Sequence, residues 1–562
     1  MQRIIECVPN FSEGRDRRVI DQITAAIEQV EGVALLDVDP GRATNRTVVT
    51  FAGEPQAVLD AAVAAAKAGA ELIDMRRHQG EHPRFGALDV CPLVPVSGVS
   101  MEETVELARE LGKRLANEVG LTVFCYENAA FSEERRNLAN VRSGEYEGLG
   151  KKLADPNWQP DFGPAEFNPR SGATAVGARD YLVAYNINLN TTSTRRANAI
   201  AFDVRERGRV KREGHPLTGK VVRDRNGDPV YQPGKLKAVK AIGWFIEEYG
   251  VAQISMNLTD VKITPIHEAF DEVCRRAAAR GIRVTGSELV GLVPLQAMLD
   301  AGRHYLRQQQ RSLGVPDREI LKIAVKSMGL DDLKPFDPAD KIVEYRLAAL
   351  LPSPAKLIQR TVTGFTEETA SESAAPGGGS VSALVGALGA ALGTMVANLS
   401  AHKRGWDDKW EEYSDSAVRG KEIYEALLDL VDLDTAAFNA MMAALRLPKR
   451  TEEESRQRHI AMQQAARQAM EVPLQVMQKA FESMALLELM AETGNPASVS
   501  DAGVGALCAR AAVRGAFLNI RINAAELEDR EWTSQLIARA AEIDMNSRDL
   551  ESEILAIVDR KI

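Results

Sequence analysis

Proline placement constrains this chain more than any other feature. Proline donates no backbone hydrogen bond and clashes with the carbonyl one turn back, so helix interiors exclude it. Of 24 prolines, only Pro376, Pro448, Pro473 and Pro496 lie beyond residue 375. Pro376 stands in the break Ala374-Ala375-Pro376-Gly377-Gly378-Gly379-Ser380. The sequence beyond it is rich in Ala, Met and Glu and keeps a 3.6-residue apolar period over 416–445, 453–470 and 474–489. That pattern predicts an all-helical module. The segment 381–399 carries no charge, but its glycines and alanines, with Ser382, Thr394 and Asn398, keep its hydropathy modest. It reads as a small-residue helix inside a bundle rather than a membrane span.

The first 300 residues alternate short β-branched runs with amphipathic ones, which is α/β patterning. Strands are expected at 4–8, 33–38, 47–52, 88–96 and 122–126, and helices at 17–29, 55–72 and 101–119. A second pass begins at Tyr181, with strands at 181–189, 239–248, 251–258 and 282–285 and helices at 195–205 and 265–280. Each pass has the order βαββαβ, the first with an extra αβ, which predicts two ferredoxin-like units side by side with a ligand cleft between them. At roughly 100–200 residues per domain, a chain of 562 residues needs several cores. The expected division is 1–178 and 179–330 for the two α/β units, a linker at 331–353, and a helical bundle at 354–562.

The net charge of −10 argues against a general nucleic-acid binder. Apolar residues at 45% and charged residues at 26% fit a soluble globular chain. The five cysteines are scattered, odd in number and without a CxxC, which predicts reduced thiols and a cytoplasmic protein. The first 16 residues lack the apolar core of a signal peptide.

Two motifs read as decoys. Gly214-His215-Pro216-Leu217-Thr218-Gly219-Lys220 imitates a phosphate loop, but Val221 replaces the magnesium-binding hydroxyl and the preceding run is charged. His78-Gln79-Gly80-Glu81-His82 matches HxxEH, a zinc-protease signature that needs both histidines on one helix. Gly80 and Pro83 oppose that helix. The same stretch reads better as a fixed loop that presents His82, the side-chain type suited to proton transfer near neutrality; a turn with solvated charges is the plainer alternative. The turn-rich stretch from Asp161 to Gly172 borders the expected cleft, either as a ligand contact or as a plain connection. In the bundle, the glycines before Ser380 would start a helix at which backbone N–H groups can approach a ligand. Asp432 and Asp434 are two apart and cannot share a helix face. One of them, buried among apolar residues, would be a proton donor; two exposed acids are the plainer reading. The basic run Arg205, Arg207, Arg209, Lys211 and Arg212 is either a solvated face or a hold for a polyanionic tail.

Several longer motifs resemble known enzymes. Ile5-Glu6-Cys7-Val8-Pro9-Asn10-Phe11-Ser12-Glu13-Gly14, Thr44-Asn45-Arg46-Thr47, Gly80-Glu81-His82-Pro83-Arg84, Pro160-Asp161-Phe162-Gly163-Pro164 and the GSELVGLVP run at 286–294 resemble glutamate formiminotransferase. Ser373 to Ser380 and the apolar helix behind them resemble the cyclodeaminase family. Taken in order, the likeness covers nearly the whole chain in the arrangement of the bifunctional formiminotransferase-cyclodeaminase family. Two departures stand out. Residues 210–233 read as an insertion relative to the animal proteins, and Glu288 stands where those have Gln.

The resemblance implies two steps. A formimino group passes from N-formiminoglutamate to tetrahydrofolate, a co-substrate expected to be polyglutamylated, and the product then closes to 5,10-methenyltetrahydrofolate with loss of ammonia. It also implies His82 as the catalytic group of transfer, Asp434 as that of ring closure, and Gly163, Pro164, Ala165, Glu166, Phe167, Asn168, Pro169, Arg170, Ser171 and Gly172 as the folate-binding segment. No metal, nucleic acid or membrane is expected as a partner, and the assembly is expected to be a homo-oligomer, a ring built of dimers. The alternatives are formyl transfer from N-formylglutamate with the bundle as an assembly module, and a zinc hydrolase using His78 and His82.

Overall fold

The computed structural model describes residues 3–42, 45–80, 84–214, 218–247, 249–350, 356–373 and 375–562. Alternation along the first strand shows how the first part is built. In β1 (Ile4–Cys7), Ile5 and Cys7 enter an apolar core and Glu6 takes the opposite side. β2 (Asn10–Phe11) continues β1 after a break, and both lie between the same two neighbours. Then come α1 (Arg17–Glu28), β3 (Val33–Gly41), β4 (Arg46–Gly53), α2 (Pro55–Leu72), β5 (Leu88–Ser97), α3 (Met101–Arg114) and β6 (Thr122–Glu127). Three short helices follow, α4 (Glu133–Arg136), α5 (Leu138–Val141) and α6 (Glu145–Leu153), and then β7 (Ala173–Ala178). The sheet runs β3-β4-β1/β2-β5-β7-β6, with β7 parallel to both its neighbours and the other pairs antiparallel. Its core side packs on α1, α2 and α3.

Neither β7 nor the short helices were expected from sequence. The strand AlaThrAlaValGlyAla has small residues of low β-propensity and is held by two parallel neighbours, so its identity is tertiary.

The second sheet repeats the pattern. β8 (Val183–Leu189) buries Val183, Tyr185, Ile187 and Leu189 and turns Ala184, Asn186 and Asn188 to the other face. After α7 (Thr194–Val204), the expected insertion folds as two small ribbons. β9 (Arg209–Val210) pairs with β12 (Tyr231–Gln232), and β10 (Arg212–Glu213) with β11 (Lys220–Val221). The phosphate-loop look-alike falls between β10 and β11 in the sequence, its residues 215–217 lie outside the described set, and no helix follows Lys220, which begins β11. Then come β13 (Val239–Ile246), β14 (Val251–Leu258), α8 (Ile266–Ala278) and β15 (Val284–Val290), in antiparallel order β13-β14-β8-β15. The last strand begins two residues later and runs five further than 282–285. Glu288 lies on it, 3.5 Å from the Asn186 amide. α9 (Leu295–Gln308), α10 (Asp317–Met328), α11 (Pro338–Lys341) and α12 (Val343–Leu350) complete this part.

The chain forms two units, Met1–Ala301 with Val325–Pro352, and Gly302–Ala324 with Ser353–Ile562. These units differ from the expected division over residues 302–350. Residues 302–324 sit with the bundle because Leu313 N–H donates to Ser414 Oγ at 3.0 Å, Gly314 abuts Ala417, and Asp317 pairs with the buried Lys421. Residues 331–350 are no free linker: Ile342 and Val343 are fully buried, Ile342 bridges Val293, and Glu344 accepts the Leu295 N–H at 2.8 Å. Residues 351–355 are outside the described set.

The bundle has α13 (Val362–Thr369), α14 (Gly378–Ala401), α15 (Trp410–Arg446), α16 (Glu452–Thr493), α17 (Val499–Asn523) and α18 (Arg530–Asp559). Among the described residues α14 is the one helix long and apolar enough to cross a membrane, and most of its apolar window is buried inside the bundle. Gly389 lets α14 come against Gly505 and Ala509 of α17 at a distance that a side chain would forbid. The two helices expected either side of Pro473 are one: Pro473 is buried within α16, where packing offsets its missing hydrogen bond.

Candidate active sites

Two cavities that share lining residues lie in the first unit, the larger bordered by the short helices α4 and α5 as well as by strands of both sheets. The larger has a volume of about 680 Å³ and the smaller about 320 Å³. Asn10, Arg46, Arg179 and Leu182 line both. Asn10 spends its amide N–H on the Val8 carbonyl at 2.9 Å and leaves a buried Oδ1 without a partner among the described residues. Arg46 likewise keeps its buried Nε unpaired. Burial lowers the Arg46 pKa, while the nearby Asp89 carboxylate opposes that shift. Asp89 itself is fully buried, accepts the Phe85 N–H at 2.9 Å and pairs with Arg142 of the larger cavity.

His82, with Glu81 and Pro83, lies outside the described residues. The chain on both sides of it is firmly held. Asn45 adopts a left-handed backbone (φ 48°), which lets one residue make three bonds. Its Oδ1 accepts the Gly14 N–H at 3.0 Å, its Nδ2 donates to the Gln79 carbonyl at 3.0 Å, and its carbonyl accepts from His78 Nε2 at 2.7 Å. Arg84 donates to His78 Nδ1 at 3.3 Å and pairs with Glu147. His78 is therefore the neutral tautomer protonated at Nε2, and burial lowers its pKa. With both ring nitrogens engaged, His78 has none for a metal. No group of three metal-ligating side chains occurs among the described residues.

The segment from Gly163 to Gly172 is an anchored loop. Gly163 and Gly172 have φ of 83° and 65° and press against the Leu121 and Phe85 carbonyls, where a side chain has no room. Between them Thr122 Oγ1 donates to the Pro164 carbonyl at 2.8 Å and Tyr146 Oη to the Pro169 carbonyl at 2.5 Å. Phe167 packs on the Tyr146 ring, 5.5 Å between centroids. Asn168 Oδ1 accepts the Arg170 N–H at 2.9 Å, and the Arg170 guanidinium donates to the Glu71 carbonyl. Ala165 and Glu166 are exposed, and Ser171 is buried. None of the ten residues lines either cavity. The loop instead flanks the His82 stretch, through Ala87 N–H to the Ser171 carbonyl at 2.8 Å and Ala173 N–H to the Phe85 carbonyl at 3.0 Å.

The basic run does not form a free strip. Arg205 donates to the Gly208 and Ala241 carbonyls, Arg207 to Tyr231 Oη, and Arg212 to the Gly219 carbonyl; Arg209 pairs with Asp203. These side chains hold their own subdomain together.

The bundle encloses a cavity of about 530 Å³ at the N-terminus of α14. Asp434 of α15 faces it, and Ser380 Oγ donates to Asp434 Oδ2 at 2.8 Å while lying 3.1 Å from Thr435 Oγ1. Burial raises the Asp434 pKa even though the Ser380 hydroxyl and N–H favour its charged form. Gly379 has no side chain because a Cβ would collide with the Asp434 carboxylate. Asp432 is elsewhere: its Oδ1 accepts the Leu357 N–H at 2.6 Å, and it does not line the cavity. Asn519 and Asn523 also line the cavity, with their amide N–H groups given to the Gly515 and Ala469 carbonyls. Nothing local in the sequence marks them, since their role depends on a helix crossing.

Comparison with known proteins matches the chain in three consecutive stretches. The profile described as "Formiminotransferase domain, N-terminal subdomain" matches residues 4–179, and that described as "Formiminotransferase domain" matches 184–348. "Formiminotransferase-cyclodeaminase" matches 361–542. A formimidoyltransferase-cyclodeaminase of Gallus gallus is 43% identical over 569 residues, covering 100% of both chains. The chain belongs to the formiminotransferase-cyclodeaminase family. Its parts also resemble separate proteins. A glutamate formimidoyltransferase of Thermoplasma acidophilum is 42% identical over 54% of this chain and 92% of its own. A methenyltetrahydrofolate cyclohydrolase of Methylorubrum extorquens is 34% identical over 36% of this chain and 97% of its own.

Proposed function

We propose that this family member catalyses two consecutive reactions on one folate. The full-length likeness to a bifunctional relative carries this reading, and the cavity beside Asp434 supports its second step. In the first reaction N5 of tetrahydrofolate attacks the formimino carbon of N-formimino-L-glutamate. The N5–C bond forms, the C–N bond to glutamate breaks, and the N5 proton passes to the leaving amine. His82 is the group that takes and returns that proton, and the loop from Gly163 to Gly172 holds the folate. In the second reaction N10 attacks the same carbon, and the formimino nitrogen leaves as ammonia. Asp434 protonates it. Neither step requires a metal. Repetition of one strand order in both sheets supports a duplicated ferredoxin-like unit as the frame.

A coupled assay with formiminoglutamate and tetrahydrofolate tests the reading. Methenyl product and ammonia should appear in equal amounts. No methenyl product and no ammonia from formiminoglutamate, with formyl transfer to tetrahydrofolate when formylglutamate is supplied instead, would overturn it.

The acid role makes ring closure pH-dependent with a definite sign. The rate should fall as pH rises through the Asp434 pKa, which burial has raised. The Ser380 hydroxyl favours the charged form, so Ser380→Ala should move that fall to higher pH, an effect read from the rate profile of ring closure alone. An unmoved or acid-shifted profile would remove Asp434 as the titrating acid.

The reading also includes a cytoplasmic homo-oligomer, a ring of dimers. Two packed helices leave apolar side chains exposed, Leu388 and Leu399 on α14 and Leu507 and Leu518 on α17. These are the surfaces a second copy would cover. Leu388→Glu with Leu507→Glu should reduce the mass seen by light scattering. An unchanged mass would place the interface elsewhere.

A further inference from the structure

This inference rests on the transfer reaction above and concerns how the first site tells its donor from a near copy. The formimino end of formiminoglutamate is an amidine, a strong base and therefore a cation near neutrality. Formylglutamate ends in a neutral amide of almost the same size. Both carry two carboxylates. A site that selects the first needs cations for the carboxylates and an anion for the amidinium.

The smaller cavity holds both kinds of group. Arg46 and Arg179 lie in its wall, and so does Glu6, only 4% exposed. Glu6 has no part in the helical core, which takes Ile5 and Cys7 from either side of it. Its surroundings are unusual for a carboxylate. Tyr181 Oη lies 3.3 Å from Glu6 Oε1 and 3.2 Å from the Leu292 carbonyl. A hydroxyl has one proton and cannot serve two acceptors at once. When Tyr181 donates to the Leu292 carbonyl, its contact with Glu6 is satisfied only if the carboxyl brings a proton of its own. Burial pushes this carboxyl up to about 7, with Arg179 and a hydrogen bond donated by Tyr181 pulling the other way. Burial thus leaves Glu6 only partly ionised near neutrality, and an arriving cation supplies the charge against which it can ionise fully.

We propose that Glu6 receives the formimino end of the donor, carboxylate against amidinium, and so makes the site select formimino over formyl groups. The two N–H groups of an amidinium match the two oxygens of a carboxylate in a paired hydrogen bond. A formyl oxygen in the same place meets a carboxylate oxygen, acceptor against acceptor, unless Glu6 stays protonated.

Glu6→Gln tests this. The amide keeps the shape but cannot carry the charge. Removing one partner of a buried ion pair should lower kcat/KM for formiminoglutamate by roughly 10²-fold or more. Transfer from formylglutamate should stay within about threefold or rise, so the ratio between donors collapses. Ring closure of supplied 5-formiminotetrahydrofolate, catalysed by the other unit of the same preparation, reports whether the chain is folded. If wild type transfers the formimino group and the variant keeps the donor ratio, or loses both donors equally, the inference is overturned and the transfer reading stands. If wild type transfers no formimino group, the reading beneath it fails. Should the variant not fold, wild type still decides: formamidinium should inhibit competitively against formiminoglutamate where formamide does not, and equal inhibition by the two would overturn the assignment.

Discussion

Asp434→Asn is expected to stop ring closure and leave formimino transfer running, so that 5-formiminotetrahydrofolate accumulates. The asparagine keeps the shape and the Ser380 contact but has no proton to give the departing nitrogen. A general acid commonly contributes about 10²–10⁴-fold in rate. Asp432→Asn is the control built into the same helix. Asp432 accepts the Leu357 N–H through Oδ1, an acceptor that asparagine keeps, so this change should cost at most about 1 kcal/mol of stability and little rate. Following ammonia and methenyl absorbance after adding the formimino intermediate separates the two. If Asp432→Asn blocks closure and Asp434→Asn does not, the acid has been misassigned.

His82→Ala should give the mirror image, with transfer reduced by about 10²–10⁴-fold and ring closure of supplied intermediate unchanged. The structural case comes from the flanks, where Asn45, His78 and Arg84 fix the chain as far as Gln79 and from Arg84 onward. Transfer within a few-fold of wild type would remove His82 as the proton carrier. Loss of wild-type transfer to a chelator would revive the zinc reading, which at present has His78 fully engaged with protein partners.

Much of this is legible in the sequence alone. The helices at 17–28, 55–72 and 266–278 follow from apolar period alone, and the spacing of Asp432 and Asp434 already required them to point apart. What escaped was tertiary. Ala173–Ala178 is a strand only because two parallel neighbours hold it. Glu6 was visible as a motif letter, but its burial and its pairing with Tyr181 join residues 175 apart in sequence. The arginines at 205, 207, 209 and 212 looked like a charged surface because sequence does not show that backbone carbonyls, Tyr231 and Asp203 take up their donors.

The division of the chain between its units bears on how the protein is made. The polypeptide passes from one unit to the other three times, after Ala301, Ala324 and Pro352. Synthesis delivers residues in order at about 5–20 per second, and domains tend to fold as they emerge. The first unit cannot close at residue 301, because Ile342 and Val343 belong to its core. Residues 302–324 must wait longer still: Asp317 emerges 104 residues before Lys421, its partner. At those rates the wait is roughly 5–20 s, during which the segment has no home. The same interleaving defeats a single-cut dissection of the gene. A fragment starting at residue 354 would carry the Lys421 ammonium, 6% exposed, without Asp317 and with Glu425, 3.7 Å away, as its remaining partner, so part of what stabilises this buried charge would be lost. Separating the two activities cleanly therefore calls for residues 302–324 to be supplied to the bundle, as a grafted segment or a co-expressed peptide.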